Sequence, residues 1–213
     1  MLLSFACIVI AYFIGSISSS YVVGLLTGTV DIRNEPDGRV SAAAIYRKAG
    51  LPAFALVVIM DVGLAASAVM IAKTLTGSIV ITMLASLAAV VGHNWSPFLR
   101  LKGGLGATTI CGIMGTVAWE PFVYGLGVAG VLVVATLKPG LSTAMGILTM
   151  SGVLFIQGSV LVGFFPLALL ALMILKRYQL NRGKTIPVPK ITTPLDGHGS
   201  IHSESELRKI NRP

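Results

Sequence analysis

Charged residues are scarce in this chain of 213 residues, where Asp, Glu, Lys and Arg make up only 11% of the sequence. Soluble domains carry roughly 25%. Apolar residues account for 54%, and their runs are long enough to cross a hydrocarbon core of about 30 Å. Because the deficit of charge extends over most of the length, it excludes an ordinary soluble domain. The composition predicts an all-α, polytopic membrane protein.

Cysteine and histidine are also rare. Cys7 and Cys111 lie inside separate apolar runs, which excludes a paired disulfide framework, and we interpret them as packing residues. His198 and His202 lie in a polar C-terminal stretch, where we expect solvated side chains and no metal site. The N-terminal apolar run lacks a basic segment and continues to about Leu26. It therefore predicts a retained transmembrane helix instead of a cleaved signal peptide.

Apolar segments predict about seven transmembrane helices, near residues 3–26, 53–74, 78–99, 105–119, 122–137, 142–157 and 159–175. Cytoplasmic loops carry an excess of Lys and Arg, so the loops can be used to assign orientation. With the N-terminus outside and seven spans, 15 of the 16 basic residues lie inside and only Lys73 lies outside. We therefore expect a cytoplasmic C-terminus, a membrane domain over 1–185 and a flexible cytoplasmic tail over 186–213.

Small residues recur at four-residue spacing in several of these segments. The pairs are Gly24 and Gly28, Ala68 and Ala72, and Ala85 and Ala89. Close packing drives helix association in lipid, so these pairs predict tight helix contacts.

A polar cluster interrupts the apolar pattern at residues 90–109, VVGHNWSPFLRLKGGLGATT. His93 lies at the end of an apolar segment, where an ionisable residue is a functional hypothesis by default, although a histidine that only reaches the interface is an alternative. The run KGGLGATT predicts glycine amides at the start of a helix. Those amides, the helix dipole and the charge of Lys102 form an anion site, which indicates a phosphate bound at the membrane surface.

The first cytoplasmic loop contains DIRNEPDGRVSAAAIYRK, residues 31–48. Loops of this length are usually functional or disordered. Arg39, Arg47 and Lys48 add positive charge, but three acidic residues accompany them, so the loop is not a simple basic patch.

Together these segments resemble the bacterial acyl-phosphate:glycerol-3-phosphate acyltransferase family, from about residue 12 to about residue 182. YFIGSISSSYVVGLL is similar to the family's opening helix, GHNWSPFLRLKGGLGATT to its GHxxPxFLxFKGGKGxAT, and LKRYQLNRG to its RHxxNIxR stretch. The resemblance implies a seven-helix fold in the bacterial inner (plasma) membrane and an active site on the cytoplasmic side. It also implies that the enzyme uses no metal, nucleotide or other cofactor.

The resemblance implies roles for specific residues. His93 would polarise or deprotonate the attacking hydroxyl, or hold a phosphate oxygen, and Asn181 would hydrogen-bond substrate or brace the first loop. The expected phosphate-binding residues are Arg39, Ser41, Arg47, Lys102, Gly103, Gly104 and Gly106. The partners would be acyl phosphate, glycerol 3-phosphate, membrane lipid and other enzymes of lipid synthesis, with no nucleic acid.

The chain departs from the family pattern at several positions that normally carry hydroxyl, amide or amine groups. These positions are Asp37, Arg39, Ala43, Ala44, Leu64, Leu105 and Tyr178. They leave open a paralogue that keeps the fold, has impaired catalysis and binds lipid or a partner enzyme. A small transporter is a further alternative, but Asp61 and Glu120 are too few acids for an ion pathway, and Asp61 could equally brace the fold.

Overall fold

The computed structural model describes residues 1–28 and 41–182. Arg39, His198, His202 and the proposed tail therefore lie outside the described residues, and the division at residue 185 stays a prediction. The described residues form eight α-helices and no strand: α1 (Leu2–Ser16), α2 (Ser19–Leu26), α3 (Ala42–Thr76), α4 (Ile79–Asn94), α5 (Ala107–Val117), α6 (Trp119–Thr136), α7 (Pro139–Ile156) and α8 (Val160–Arg182). A short 3₁₀ turn, Pro97–Leu99, follows α4.

Six of the described segments are long and apolar enough to cross a membrane, with α1 and α2 counted together over Leu2–Leu26. The other apolar helix, α5, has 11 residues. At 1.5 Å per residue it is about 17 Å long, which is less than the hydrocarbon thickness. All seven predicted apolar segments are therefore helical, while the number long enough to span is six.

Three helix boundaries differ from the sequence prediction. The N-terminal segment is broken at Ile17, which is extended, and Ser18 then caps α2 by accepting a hydrogen bond from the Tyr21 amide. Helix α3 begins at Ala42 instead of near residue 53, because an alanine-rich stretch follows the capping Ser41, and the helix kinks at Gly50 (φ 80°). Helix α8 continues past residue 175 to Arg182, since charged residues end an apolar run without ending a helix.

Close helix packing involves most of the predicted small residues. Ala68, Ala72, Ala85 and Ala89 form one buried cluster with Cys7 and Ala11, which confirms the interpretation of those two alanine pairs and of Cys7. A Cβ at Gly15 would collide with the Ala89 carbonyl, so α1 and α4 approach at backbone distance. The prediction is wrong for Gly28, which lies past the end of α2 with no described residue within 4 Å of a Cβ.

A larger apolar cluster holds α3, α4, α5, α7 and α8 together around Phe165, Ile113 and Leu169. This packing brings the start of α3, the end of α4, the start of α5 and the end of α8 to one end of the bundle, because residues of all four line a common cavity. Lys73 lies in the last turn of α3, at the opposite end of that helix. The arrangement agrees with the expectation that the polar motifs meet at one face, and the side of the membrane on which that face lies stays a prediction.

Candidate active site

A cavity of about 220 Å³ lies where these helix ends meet. Its described lining consists of Ser20, Ser41, Ala42, Ala43, Asp61, His93, Gly103, Gly104, Leu105, Gly106, Ala107, Thr108 and Leu180. The cavity therefore gathers residues of α2, α3, α8 and the turn before α5 around the predicted catalytic histidine of α4.

His93 lies at the end of α4, beside the carboxylate of Asp61 from the middle of α3. The His93 Nδ1 and the Asp61 Oδ1 are 3.9 Å apart. The Thr108 hydroxyl donates a hydrogen bond of 2.6 Å to the Asp61 Oδ2. Asp61 is only 5% exposed, and its Oδ1 accepts no hydrogen bond within the described chain, which leaves the His93 ring as its nearest ionic partner there.

The other ring nitrogen of His93 lies next to Gly104. A Cβ at Gly104 would collide with the His93 Nε2, so only glycine leaves room for the ring as it stands. Asp61 is therefore on the Nδ1 side of the imidazole and Gly104 on the Nε2 side. In a catalytic histidine of this kind, a carboxylate on the Nδ1 side orients the ring, and the Nε2 accepts and donates the proton.

The glycine-rich turn is fixed by hydrogen bonds to the end of α4. The Gly103 amide donates to the Asn94 carbonyl and the Gly104 amide donates to the His93 carbonyl, both at 3.2 Å. The expectation that these two amides are available for phosphate is therefore wrong. The turn uses them to close on the end of α4, and a Cβ at Gly103 would collide with the same His93 carbonyl.

The amides available for an anion belong to the next three residues of the chain. No described residue accepts a hydrogen bond from the Leu105, Gly106 or Ala107 amide, and all three residues line the cavity. Gly106 precedes α5 with φ 81°, a left-handed conformation that glycine adopts at little cost. The start of α5 thus presents unpaired N–H groups and the positive end of its dipole to the cavity.

The predicted cations are placed differently from the expectation. Arg47 and Lys102 are exposed, and neither belongs to the described lining of the cavity. Lys138 and Arg177 instead line a neighbouring cavity of about 500 Å³, which shares Leu105 with the first. Two described cations therefore line the cavity next to the His93 cavity, and none lines the His93 cavity itself.

Two further predicted residues lie at the edge of the site. The Ser41 hydroxyl lines the cavity but also accepts a hydrogen bond of 3.3 Å from the Ala44 amide as the cap of α3. Asn181 is exposed and follows Leu180, which belongs to the lining. The structure brings His93, Ser41 and the three glycines together, and it places Asn181, Arg47 and Lys102 around them.

Asp61 and Thr108 are two residues of the site that the sequence does not predict. An aspartate inside an apolar span was a visible signal, since such a residue is costly unless it is paired. Thr108 carried a weaker signal, because threonines after a glycine turn are common at helix starts. Only the crossing of α3 and α5 brings the two side chains together.

Comparison with known proteins identifies the family of this chain. Residues 5–186 match the family model described as glycerol-3-phosphate acyltransferase. The glycerol-3-phosphate acyltransferase of Thermoanaerobacter pseudethanolicus is 36% identical over 141 residues, covering 66% of this chain and 71% of the relative. That of Shouchella clausii is 29% identical over 191 residues, covering 85% and 91% respectively.

The fold of this chain also matches that of a solved structure. The crystal structure of PlsY, an integral membrane glycerol 3-phosphate acyltransferase, in its glycerol 3-phosphate form superimposes with a TM-score of 0.75. The two chains are 27% identical, and the match covers 84% of this chain and 90% of PlsY. A second PlsY structure, in its lysophosphatidic acid form, gives the same score. This chain belongs to the glycerol-3-phosphate acyltransferase family.

Proposed function

We propose that this protein transfers an acyl group from acyl phosphate to glycerol 3-phosphate and thereby makes lysophosphatidic acid and inorganic phosphate. Family membership supports the reaction class, and the two PlsY structures are a glycerol 3-phosphate form and a lysophosphatidic acid form. The observation that carries the proposal for this chain is the His93 and Asp61 pair, which faces a cavity at the start of α5.

The reaction requires a hydroxyl group to attack the carbonyl carbon of a mixed anhydride. A bond forms between the glycerol oxygen and the carbonyl carbon, and the bond from that carbon to the phosphate oxygen breaks. The His93 Nε2 takes the hydroxyl proton and passes it to the departing phosphate. The Asp61 carboxylate, whose Oδ1 lies 3.9 Å from the Nδ1, stabilises the imidazolium that forms, and Thr108 fixes the carboxylate by its hydrogen bond.

Both substrates are anions, so the site has to provide two anion-binding positions. The unpaired amides at the start of α5 provide one inside the His93 cavity, with Lys102 and Arg47 nearby as long, exposed cations. Lys138 and Arg177 provide the other in the adjoining cavity. Because acyl phosphate is already activated, the protein mainly contributes positioning and charge stabilisation.

The acyl chain of the donor would lie between helices and open to lipid. The outer faces of the bundle carry many exposed large apolar side chains, as expected for a protein in hydrocarbon. We place the protein in the bacterial inner membrane with its C-terminus cytoplasmic and with α5 as a short seventh crossing, because this arrangement leaves 15 of 16 basic residues inside.

A second candidate function is a paralogue of impaired activity that binds lipid or a partner enzyme. Ala43 and Leu105 line the His93 cavity, and Leu64 lines a small void against Asp61 and His93. All three replace polar groups of the family pattern by apolar ones. The cavity wall has therefore lost hydrogen-bonding capacity that substrate phosphates would use.

The full-length protein in detergent, given acyl phosphate and glycerol 3-phosphate, should release phosphate and form lysophosphatidic acid detectable by mass spectrometry. His93→Ala should lower both signals by about 100- to 10,000-fold, the contribution of a general base, and leave a small residual turnover. Lys73→Ala, an exposed change at the far end of α3, should leave both signals unchanged. A silent wild type together with an active Leu64→Lys and Leu105→Lys double variant would instead identify the impaired paralogue.

A further inference from the structure

Lys176 is a buried cation that the proposed mechanism does not use. It lies on α8, only 3% exposed, and it lines neither of the two cavities. Its Nζ donates a hydrogen bond of 3.1 Å to the Leu101 carbonyl. A buried ammonium group is costly among apolar helices, where a methionine or leucine would pack as well. The lysine therefore needs an explanation beyond packing.

The partner of Lys176 lies in an unusual part of the backbone. Arg100 (φ 50°) and Leu101 (φ 65°) are consecutive left-handed residues, and neither is glycine. Residues other than glycine rarely adopt this backbone conformation, so contacts with neighbouring groups have to stabilise it. The Lys176 ammonium donates its hydrogen bond to the carbonyl of Leu101, the second of these two residues.

Two further contacts join α8 to the same turn. The Lys176 Nζ lies 5.2 Å from the centre of the Trp95 ring, within the range of a cation–π interaction. The Trp95 indole N–H donates a hydrogen bond of 2.9 Å to the Gln179 side chain. Residues 95–101 are thus bound at both ends to one face of α8.

This turn connects the two halves of the proposed site. It leaves α4 after Asn94, one residue beyond His93, and returns at Gly103 and Gly104, whose amides donate to the carbonyls of Asn94 and His93. The position of the turn therefore sets how Gly104 meets the His93 ring. It also sets where the free amides before α5 lie relative to that ring.

We propose that Lys176 is a positioning residue for acyl transfer, which holds residues 95–104 against α8 so that His93 and the start of α5 face one cavity. The inference rests on the proposed function for its catalytic part. Lys176 acts through the turn and does not touch substrate, because it is buried and lines neither cavity.

The test compares Lys176→Met, which keeps the length and removes the charge, with Lys176→Arg, which keeps the donor and the cation. Lys73→Met is the matched control, since Lys73 is exposed at the far end of α3. Phosphate release by the full-length protein gives kcat and KM, and hydrogen exchange of the segment 95–106 reports the turn directly. We expect Lys176→Met to lower kcat at least tenfold with KM for glycerol 3-phosphate changed less than threefold. Exchange in 95–106 should accelerate, and Lys176→Arg should restore kcat to within threefold of wild type.

Three outcomes would overturn the proposal. An unchanged kcat in correctly folded Lys176→Met would show that the turn does not need the ammonium. A rise in KM with kcat preserved would make Lys176 a substrate-binding cation. Unchanged exchange in 95–106 would refute the tether even if the wild type proved inactive, whereas an inactive wild type with accelerated exchange in the variant would refute the proposed function and leave the tether established.

Discussion

Replacing Gly104 by alanine places one methyl group against the catalytic histidine. The new Cβ would collide with the His93 Nε2 and lie 3.2 Å and 3.4 Å from the adjacent ring carbons. Gly104 does not have a positive φ, so the backbone itself accepts alanine and the strain falls on the imidazole. Restoring ordinary contact requires the ring to move by about 1 Å, because carbon contacts are optimal at about 3.5–4.0 Å.

A displacement of this size predicts a measurable loss of catalytic rate. Misplacing a reacting group by about 1 Å costs on the order of 100-fold in rate. At about 1.4 kcal/mol for each factor of ten, this corresponds to about 2.7 kcal/mol of transition-state stabilisation. The loss should appear in kcat for phosphate release, with the melting temperature of the purified protein nearly unchanged. Gly127→Ala is the control, since nothing lies within 4 Å of a Cβ at that helical position.

The double variant with His93→Ala separates this mechanism from general damage to the turn. If Gly104→Ala acts only by moving the imidazole, it should cost nothing further once the imidazole is absent. Normal turnover in Gly104→Ala would refute the reasoning, because it would mean that the ring moves freely without effect on the reaction. Full additivity of the two losses would also refute it.

Three further results are expected. Asp61→Asn should lower kcat by about 10- to 100-fold in the phosphate-release assay, because the amide cannot stabilise the imidazolium; unchanged turnover would remove Asp61 from the mechanism. Lys138→Gln with Arg177→Gln should raise KM for acyl phosphate about tenfold and weaken its salt dependence, and an unaltered KM at low salt would exclude the second cavity as an anion site. Ser96→Ala should lower the free energy of unfolding by about 1–2 kcal/mol, measured by thermal denaturation in detergent, since its buried hydroxyl donates a 2.6 Å hydrogen bond to the Ser16 carbonyl; equal stability would contradict this.

The sequence predicts the site best where a single residue type carries the signal. His93 is an ionisable residue at the end of an apolar run, and the glycines that follow predict a tight turn before a helix. Both predictions place residues in the observed cavity. Close packing of Ala68 and Ala85 follows in the same way from spacing alone.

The sequence does not predict which hydrogen-bond partner each polar group has in the folded chain. The Gly103 and Gly104 amides could bind phosphate or backbone, and only the return of the turn onto α4 decides for the backbone. The hydrogen bond between Thr108 and Asp61, which are 47 positions apart in the sequence, depends on how α5 and α3 cross. Arg47 illustrates the same point, because the sequence predicts a loop at this position, whereas α3 begins at Ala42 and carries Arg47 as an exposed helical residue outside the cavity lining.

The shortness of α5 has a consequence for how the two substrates meet. A helix of about 17 Å cannot reach across a hydrocarbon layer of about 30 Å, so its polar N-terminal end either sits below the headgroups or draws the leaflet inward around it. In both cases glycerol 3-phosphate, the water-soluble acceptor, reaches the depth at which the acyl chain of the donor lies. The acyl donor can then react without withdrawing its tail from the leaflet, which spares the cost of exposing methylene groups to water, about 0.8 kcal/mol for each one.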